Sequence, residues 1–246
     1  MALKAAPEDQ ALLLDLQTLD TRIGQLAHRA AKLPEIAAVA ELTVRRDDMQ
    51  SIVRENTGAW EDAKAELART ESDVAVVEAR IARDQERLQA TSSQKDIAAL
   101  EQELAALAKR RSDLEDIELE VMQSVEDRAA ELEASRTALA ALDASIAQAE
   151  DARDAALAAL ATDHEHAQAD REVVAGRVPA ELLALYEKQR ARYGVGASHL
   201  ERGMSSATGV MLGASDLNKV RAAAPDDVLV EDESGAILVR TADSGL

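Results

Sequence analysis

From Leu12 onward the apolar positions are Leu12, Leu16, Leu19, Ile23, Leu26, Ala30 and Leu33, in steps alternating strictly between four and three residues. That period belongs to a helix burying one narrow seam against a partner helix. Pro34 comes next. A proline inside a helix removes a hydrogen bond and clashes with the preceding turn, so a break or kink is expected there. A second seam runs through Trp60, Ala63, Leu67, Thr70, Val74, Val77 and Ile81 to Leu88, its last heptad interrupted by the polar Asp84. Thr91-Ser92-Ser93-Gln94 reads as a turn, and Thr91 with Gln94 has the spacing of a capping box for a new helix. The third stripe passes through Ile97, Leu100, Leu104, Leu107, Leu114, Ile117, Val121, Val125, Leu132, Leu139, Leu142, Ile146, Ala149, Ala156 and Leu160. Arg111, Arg128, Ser135 and Arg153 fall on or near it. Two successive steps of four, from Ile117 to Val125, form a stutter.

Lengths point to a hairpin. At about 1.5 Å per residue, residues 35–90 give an arm of roughly 84 Å, residues 8–33 add roughly 39 Å, and one helix over 95–172 spans roughly 117 Å. The two N-terminal segments then lie end to end along a long return helix, with the tip near 91–94 and the chain start near the C-terminal tail.

Composition agrees. The chain of 246 residues has one Trp, two Tyr, no Phe and no Cys, yet 47% of its residues are hydrophobic. Cores without aromatics fit helices packed through small aliphatic seams, and they argue against a large α/β enzyme or a β-sandwich. The absence of cysteine removes disulfides, cysteine catalysis and thiolate metal sites together. Net charge is −19; residues 1–176 carry 20 basic and 37 acidic side chains, against 8 and 10 in residues 177–246. An acidic coil repels phosphate backbones. No apolar run is long enough to span a membrane, and the N-terminal residues lack an apolar signal core. A soluble, cytoplasmic protein is expected.

After residue 176 the pattern changes. Val178-Pro179-Ala180-Glu181 suits a helix start, with Leu182, Leu183, Leu185 and Tyr186 facing a core and Gly194 and Gly196 as the stop. A short helix is expected over Ser215–Ala222. A β-hairpin follows, Val228–Val230 and Ile237–Val239, turning through Glu233-Ser234-Gly235.

Four stretches resemble one family: SQKDIAALEQEL (Ser93–Leu104), RRSDLEDIELEVM (Arg110–Met122), LLALYEKQRAR (Leu182–Arg192) and RAAAPDDVLVEDESGAILVRTADSGL (Arg221–Leu246). They are similar to the bacterial C4-type zinc-ribbon proteins with an N-terminal coiled-coil hairpin, in particular their actinobacterial branch. The resemblance spans nearly the whole chain. It implies two Cys-x-x-Cys knuckles at Ser205 and Thr208 and at Glu231 and Ser234, with 22 residues between them. None of the four is cysteine. Neutral hydroxyls are poor zinc ligands and one carboxylate does not rescue the site, so no structural zinc is expected. A ribbon this small rarely holds without a staple. Val210, Leu212, Leu217, Val220, Val228, Val230, Ile237 and Val239 are the aliphatics available to replace it. The resemblance also implies a nucleic-acid-binding role for the ribbon, or a chaperone-like adaptor role in secretion or flagellar systems.

Chemistry-bearing motifs are few. His164 and His166 are two apart on a helix and diverge. Glu115-Asp116 and Asp226-Asp227 read as solvated charge, and no phosphate loop, nucleophile elbow or dinucleotide fingerprint occurs. The basic set Lys188, Arg190, Arg192, Arg202, Lys219 and Arg221 is the candidate nucleic-acid surface, opposed by Glu231-Asp232-Glu233. The sequence therefore predicts a mainly α protein. Residues 1–176 form a long antiparallel coiled-coil hairpin, and residues 177–246 form a short helix plus a small α+β ribbon-like module. The expected role is that of a non-enzymatic adaptor binding protein partners without a cofactor. The alternative is DNA or RNA binding through the tail, and homodimerisation is left open. The discriminator is where the six basic side chains point: onto one exposed face, or into local ion pairs.

Overall fold

The computed structural model describes residues 3–245; Met1, Ala2 and Leu246, the last residue of the C-terminal motif, lie outside them. The elements are α1 (Pro7–Ala31), α2 (Pro34–Ala90), α3 (Gln94–Ala175), α4 (Ala180–Tyr193), β1 (Ala197–Glu201), β2 (Met204–Ser205), α5 (Ala214–Ala222), β3 (Leu229–Val230) and β4 (Ile237–Arg240). The chain is a mainly helical coiled-coil hairpin with a small C-terminal strand module, as the heptads predict. It packs as two units, residues 35–151 and residues 1–34 with 152–246.

In the first unit α2 pairs antiparallel with α3. Arg46 reaches Asp143 at 3.0 Å, the Asn56 side-chain amide donates to the Glu131 carbonyl at 3.4 Å, and Arg80 reaches Glu103. Partner numbers fall along α3 as they rise along α2. These contacts are exposed, and such pairs contribute ~0–1 kcal/mol each. Stability comes from the seam: Ala63, Thr70, Leu100, Leu114, Val121 and Leu132 are buried. Asp84 does not interrupt the seam but occupies it. It is buried, with one oxygen 3.1 Å from the Arg87 guanidinium and the other 3.9 Å from that of Arg80. Ser135 is buried too, its hydroxyl donating to the Leu132 carbonyl.

Two local expectations are corrected. Ile117 is 43% exposed. The seam passes from Leu114 to Val121, one heptad apart, and leaves Ile117 on its flank. Thr91 and Gln94 form no capping box: the Thr91 hydroxyl accepts from the Ser93 amide, and the Ser93 carbonyl accepts the first helical bond, from Ile97. A hydroxyl two residues ahead of an amide closes this small turn more readily than it reaches the helix.

In the second unit α1 lies antiparallel to the C-terminal part of α3, with Leu26, Leu160 and Ala167 packed together and Ile23, Ala30 and Leu33 around them. α1 opens on Pro7 with Glu8 and Asp9 in its first turn and closes with His28 and Arg29, the arrangement its dipole favours. α4 ends on Gly194 in the left-handed conformation, φ +83°. The main core joins Leu13 and Leu16 of α1, Val178, Leu182 and Tyr186, Ala197, and Ile237 and Val239. Leu13, fully buried, lies off the heptad because α1 here faces a sheet as well as a helix.

The sheet order is β2-β1-β4-β3, with β1 parallel to β4 and the other pairs antiparallel. The β3–β4 hairpin was legible in the sequence; β1 and β2 were not. The chain start also joins the module: the Ala5 amide donates to Asp226, the Val228 amide donates to Leu3, and Lys4 pairs with Asp226 at 3.0 Å.

A polar cluster holds the helices at this end. The Asp20 carboxylate accepts from Arg171 (2.7 Å), Tyr186 (2.7 Å) and Arg190 (3.2 Å), and both arginines also meet Glu187. One turn earlier, the Gln17 side-chain oxygen accepts from the Gly196 and Ala197 amides at 2.8 and 3.2 Å. Burial, and then donation to Asp20, push the Tyr186 hydroxyl well above its ordinary value near 10. A raised folded-state value means stability that is complete below pH 10 and lost as pH climbs beyond it. Urea melts from pH 8 to 11 are expected to show this alkaline loss. Tyr186→Phe should flatten it and cost about 1 kcal/mol at neutral pH.

Two glycines give opposite expectations. A Cβ at Gly196 sits 2.4 Å from the buried Tyr186 ring, whereas a Cβ at Gly24, inside α1, meets nothing within 4 Å. Gly196→Ala should destabilise by about 1–3 kcal/mol through overpacking. Gly24→Ala should stabilise by about 0.5–1 kcal/mol. Denaturant midpoints of the two variants check both signs.

Candidate functional site

The four positions marked by the resemblance lie in two turns of the C-terminal module. In the first, the Ser205 amide donates to Val210 (3.0 Å), the Gly209 amide donates to Ser205 (2.8 Å), and the Thr208 hydroxyl accepts from the Val210 amide (3.3 Å). In the second, the Glu231 amide donates to Ala236 (2.9 Å), the Gly235 amide donates to Glu231 (2.9 Å), and the Ser234 hydroxyl accepts from the Ala236 amide (3.2 Å). Gly209 and Gly235 both have φ +69°, a left-handed conformation that favours glycine. The two turns therefore match bond for bond, and the marked residues are the first and fourth of each.

Three of the four meet. The Ser205 hydroxyl donates to the Glu231 carboxylate at 2.8 Å, and the Ser234 hydroxyl donates to the same oxygen. Ser198 extends the cluster: its hydroxyl lies 2.8 Å from that of Ser205 and 3.3 Å from that of Ser206, and it accepts from the Ala207 amide. Ser198, Ser205 and Glu231 are buried. Thr208 is not joined to them by a hydrogen bond; its hydroxyl serves its own turn. The site thus links two turns through one buried carboxylate. Sequence reasoning missed Ser198 and Ser206. Ala197-Ser198-His199-Leu200-Glu201 has no β-branched residue and one long aliphatic, so nothing marked it as a strand.

Two aliphatics offered as the replacement staple prove exposed, Val210 at 53% and Val230 at 42%. Both line a cleft of the C-terminal module rather than its core. Val220, Leu200 and Leu238 form the module's own small core.

The six basic residues are spread over three elements. On α4, Arg190 is tied to Asp20 and Glu187, Arg192 stacks over the Tyr193 ring at 5.1 Å, and Lys188 shares the helix. Arg202 sits in the β1–β2 turn with φ +48°. On α5, Lys219 pairs with Asp216 at 2.7 Å, and Arg221 lies two residues further on. Among the described residues no helix is long and apolar enough to cross a membrane.

An antiparallel two-helix seam joined to a small strand module defines a coiled-coil hairpin protein. The chain belongs to the CT398-like coiled coil hairpin domain family, whose model matches residues 16–194. It is 34% identical over 239 residues to an uncharacterised protein of Mycobacterium tuberculosis, covering 97% of this chain and 98% of that one. A solved structure from Mycobacterium smegmatis is similar at a TM-score of 0.85 and 32% identity, over 97% of this chain and 100% of the other. The structure of CT398 from Chlamydia trachomatis shares the fold at a TM-score of 0.64 and 18% identity, over 94% and 97% of the two chains.

Removing the shared acceptor tests the turn linkage. Glu231→Ala leaves two hydroxyls without it and should cost about 1–3 kcal/mol. Amide exchange at Gly209 and Gly235 should accelerate while the amides of residues 35–151 keep their protection.

Proposed function

We propose that the protein is a non-enzymatic adaptor of the cytoplasm. In this reading residues 1–176 form a helical scaffold for protein partners, and residues 177–246 form a ribbon-like module whose metal has been replaced by hydrogen bonds. The matched turns carry the second part. Paired knuckles presenting their first and fourth residues to one point are the arrangement a tetrahedral zinc site needs. Here Ser205, Ser234 and Glu231 fill that point with a carboxylate and two hydroxyls. The local pairing of Arg190 and Lys219 supports the first part, because ion-paired cations are poor phosphate contacts. In this reading the protein works without a cofactor.

Two measurements test it. The quadruple variant Ser205→Cys, Thr208→Cys, Glu231→Cys and Ser234→Cys should bind one zinc ion tightly under chelator competition, and the natural chain should bind none. Failure of the variant to bind zinc removes the ribbon reading. Fluorescence anisotropy with short DNA and RNA, from low to physiological salt, should show no saturable binding. Saturable binding that weakens with salt and with Arg192→Ala or Arg202→Ala would replace the adaptor reading with a nucleic-acid one.

A further inference from the structure

The C-terminal module carries a cleft of ≈ 170 Å³ between α5, β3 and the 208–213 segment. Leu229 and Leu238 lie along it, and Val210, Met211 and Val230 line it while remaining 53%, 62% and 42% exposed. Three large, partly exposed apolar side chains are thus gathered in one concavity. The volume is near the ~150 Å³ of a cavity that admits a benzene ring, so one aliphatic or aromatic side chain fits. Met211 supplies an unbranched, adaptable wall.

The charge at the cleft has a definite sign. Asp216, Glu231, Asp232 and Glu233 line it; Glu231 is held by the Ser205 and Ser234 hydroxyls, and the one cation among the lining residues, Lys219, is held by Asp216 at 2.7 Å. Asp232 and Glu233 are exposed. Anionic ligands and phosphate backbones are repelled, and a cation next to an apolar group is attracted.

We propose that this cleft docks a linear peptide segment of a partner protein, with one apolar side chain seated between Met211 and Val230 and adjacent Lys or Arg side chains against Asp232 and Glu233. The proposal rests on the adaptor reading in one respect, that the partner is a protein. It adds where the partner binds and what it presents. Apolar contact provides the anchor, and the acidic rim provides selection and orientation.

The probes are fluorescein-labelled nonapeptides with a central Leu-Lys-Arg, Leu-Glu-Glu or Ala-Lys-Arg in a Gly/Ser background, titrated with the full chain and read by anisotropy. The Leu-Lys-Arg peptide should bind saturably and weaken with salt, and the other two should bind about tenfold more weakly or worse. Met211→Asp, and the double variant Asp232→Lys with Glu233→Lys, should each weaken the Leu-Lys-Arg peptide about fivefold or more. The double variant should gain affinity for Leu-Glu-Glu. All three positions are exposed, and unchanged thermal melts confirm that the fold is intact.

No saturable binding of Leu-Lys-Arg, equal binding of the acidic peptide, or binding untouched by both variants overturns the proposal. So does self-association of the chain in sedimentation that Met211→Asp abolishes, since the cleft would then be a contact between copies. None of these results touches the hairpin, so the adaptor reading stands or falls separately on the nucleic-acid titration.

Discussion

A single carboxylate holds the C-terminal end of the molecule together. Asp20 sits on α1, and the three side chains that donate to it come from α3 and α4. With Glu187 included, two negative and two positive charges are satisfied in one place. Asp20 is the buried member and has three donors, while Arg190 and Glu187 keep 40% and 36% of their side chains exposed, so pairing offsets the cost of withdrawing the carboxylate from water. The bond to Asp20 is the main cause holding Arg171 above its ordinary value. Because Gln17 then caps the backbone where α4 passes into β1, the sheet inherits its position from the adjoining turn of α1.

The helices were legible in the sequence because a seven-residue repeat depends on local spacing alone. Leu16, Leu26, Ala63, Leu100, Leu114, Val121, Leu132 and Leu160 all lie on stripes visible in the sequence, and all are buried. Polarity alone does not show that Asp84 sits inside the seam; Arg87 and Arg80, 3.1 and 3.9 Å from its two oxygens, accompany its charge there. The sheet was legible only where β-branched residues gather, at β3 and β4. β1 is parallel to β4, and a parallel pairing across some forty residues leaves no periodic trace.

The candidate site shows the same division. Alignment to a familiar ending marked Ser205, Glu231 and Ser234, but it could not show them bonded to one another, nor reveal Ser198 behind them. Those contacts depend on how two distant turns face each other. The basic residues were visible as a set, but not the local partners that three of them take: Arg190 pairs with Asp20 and Glu187, Arg192 stacks on Tyr193, and Lys219 pairs with Asp216.

The exposed contacts between α2 and α3 have a consequence beyond their small energies. A pattern repeating every seven residues fits itself almost as well one repeat up or down, and short aliphatics are too alike to object. Sliding α3 one way sets Arg46 opposite Arg136 in place of Asp143; sliding it the other way sets Arg80 opposite Arg110 in place of Glu103. Either error confronts like charge with like charge, the device by which flanking residues choose alignment in coiled coils. The surface arginines thus work as a vernier. They add little to how strongly the two helices adhere, and together with the short turn at residues 91–93 they favour the adopted alignment over its neighbours.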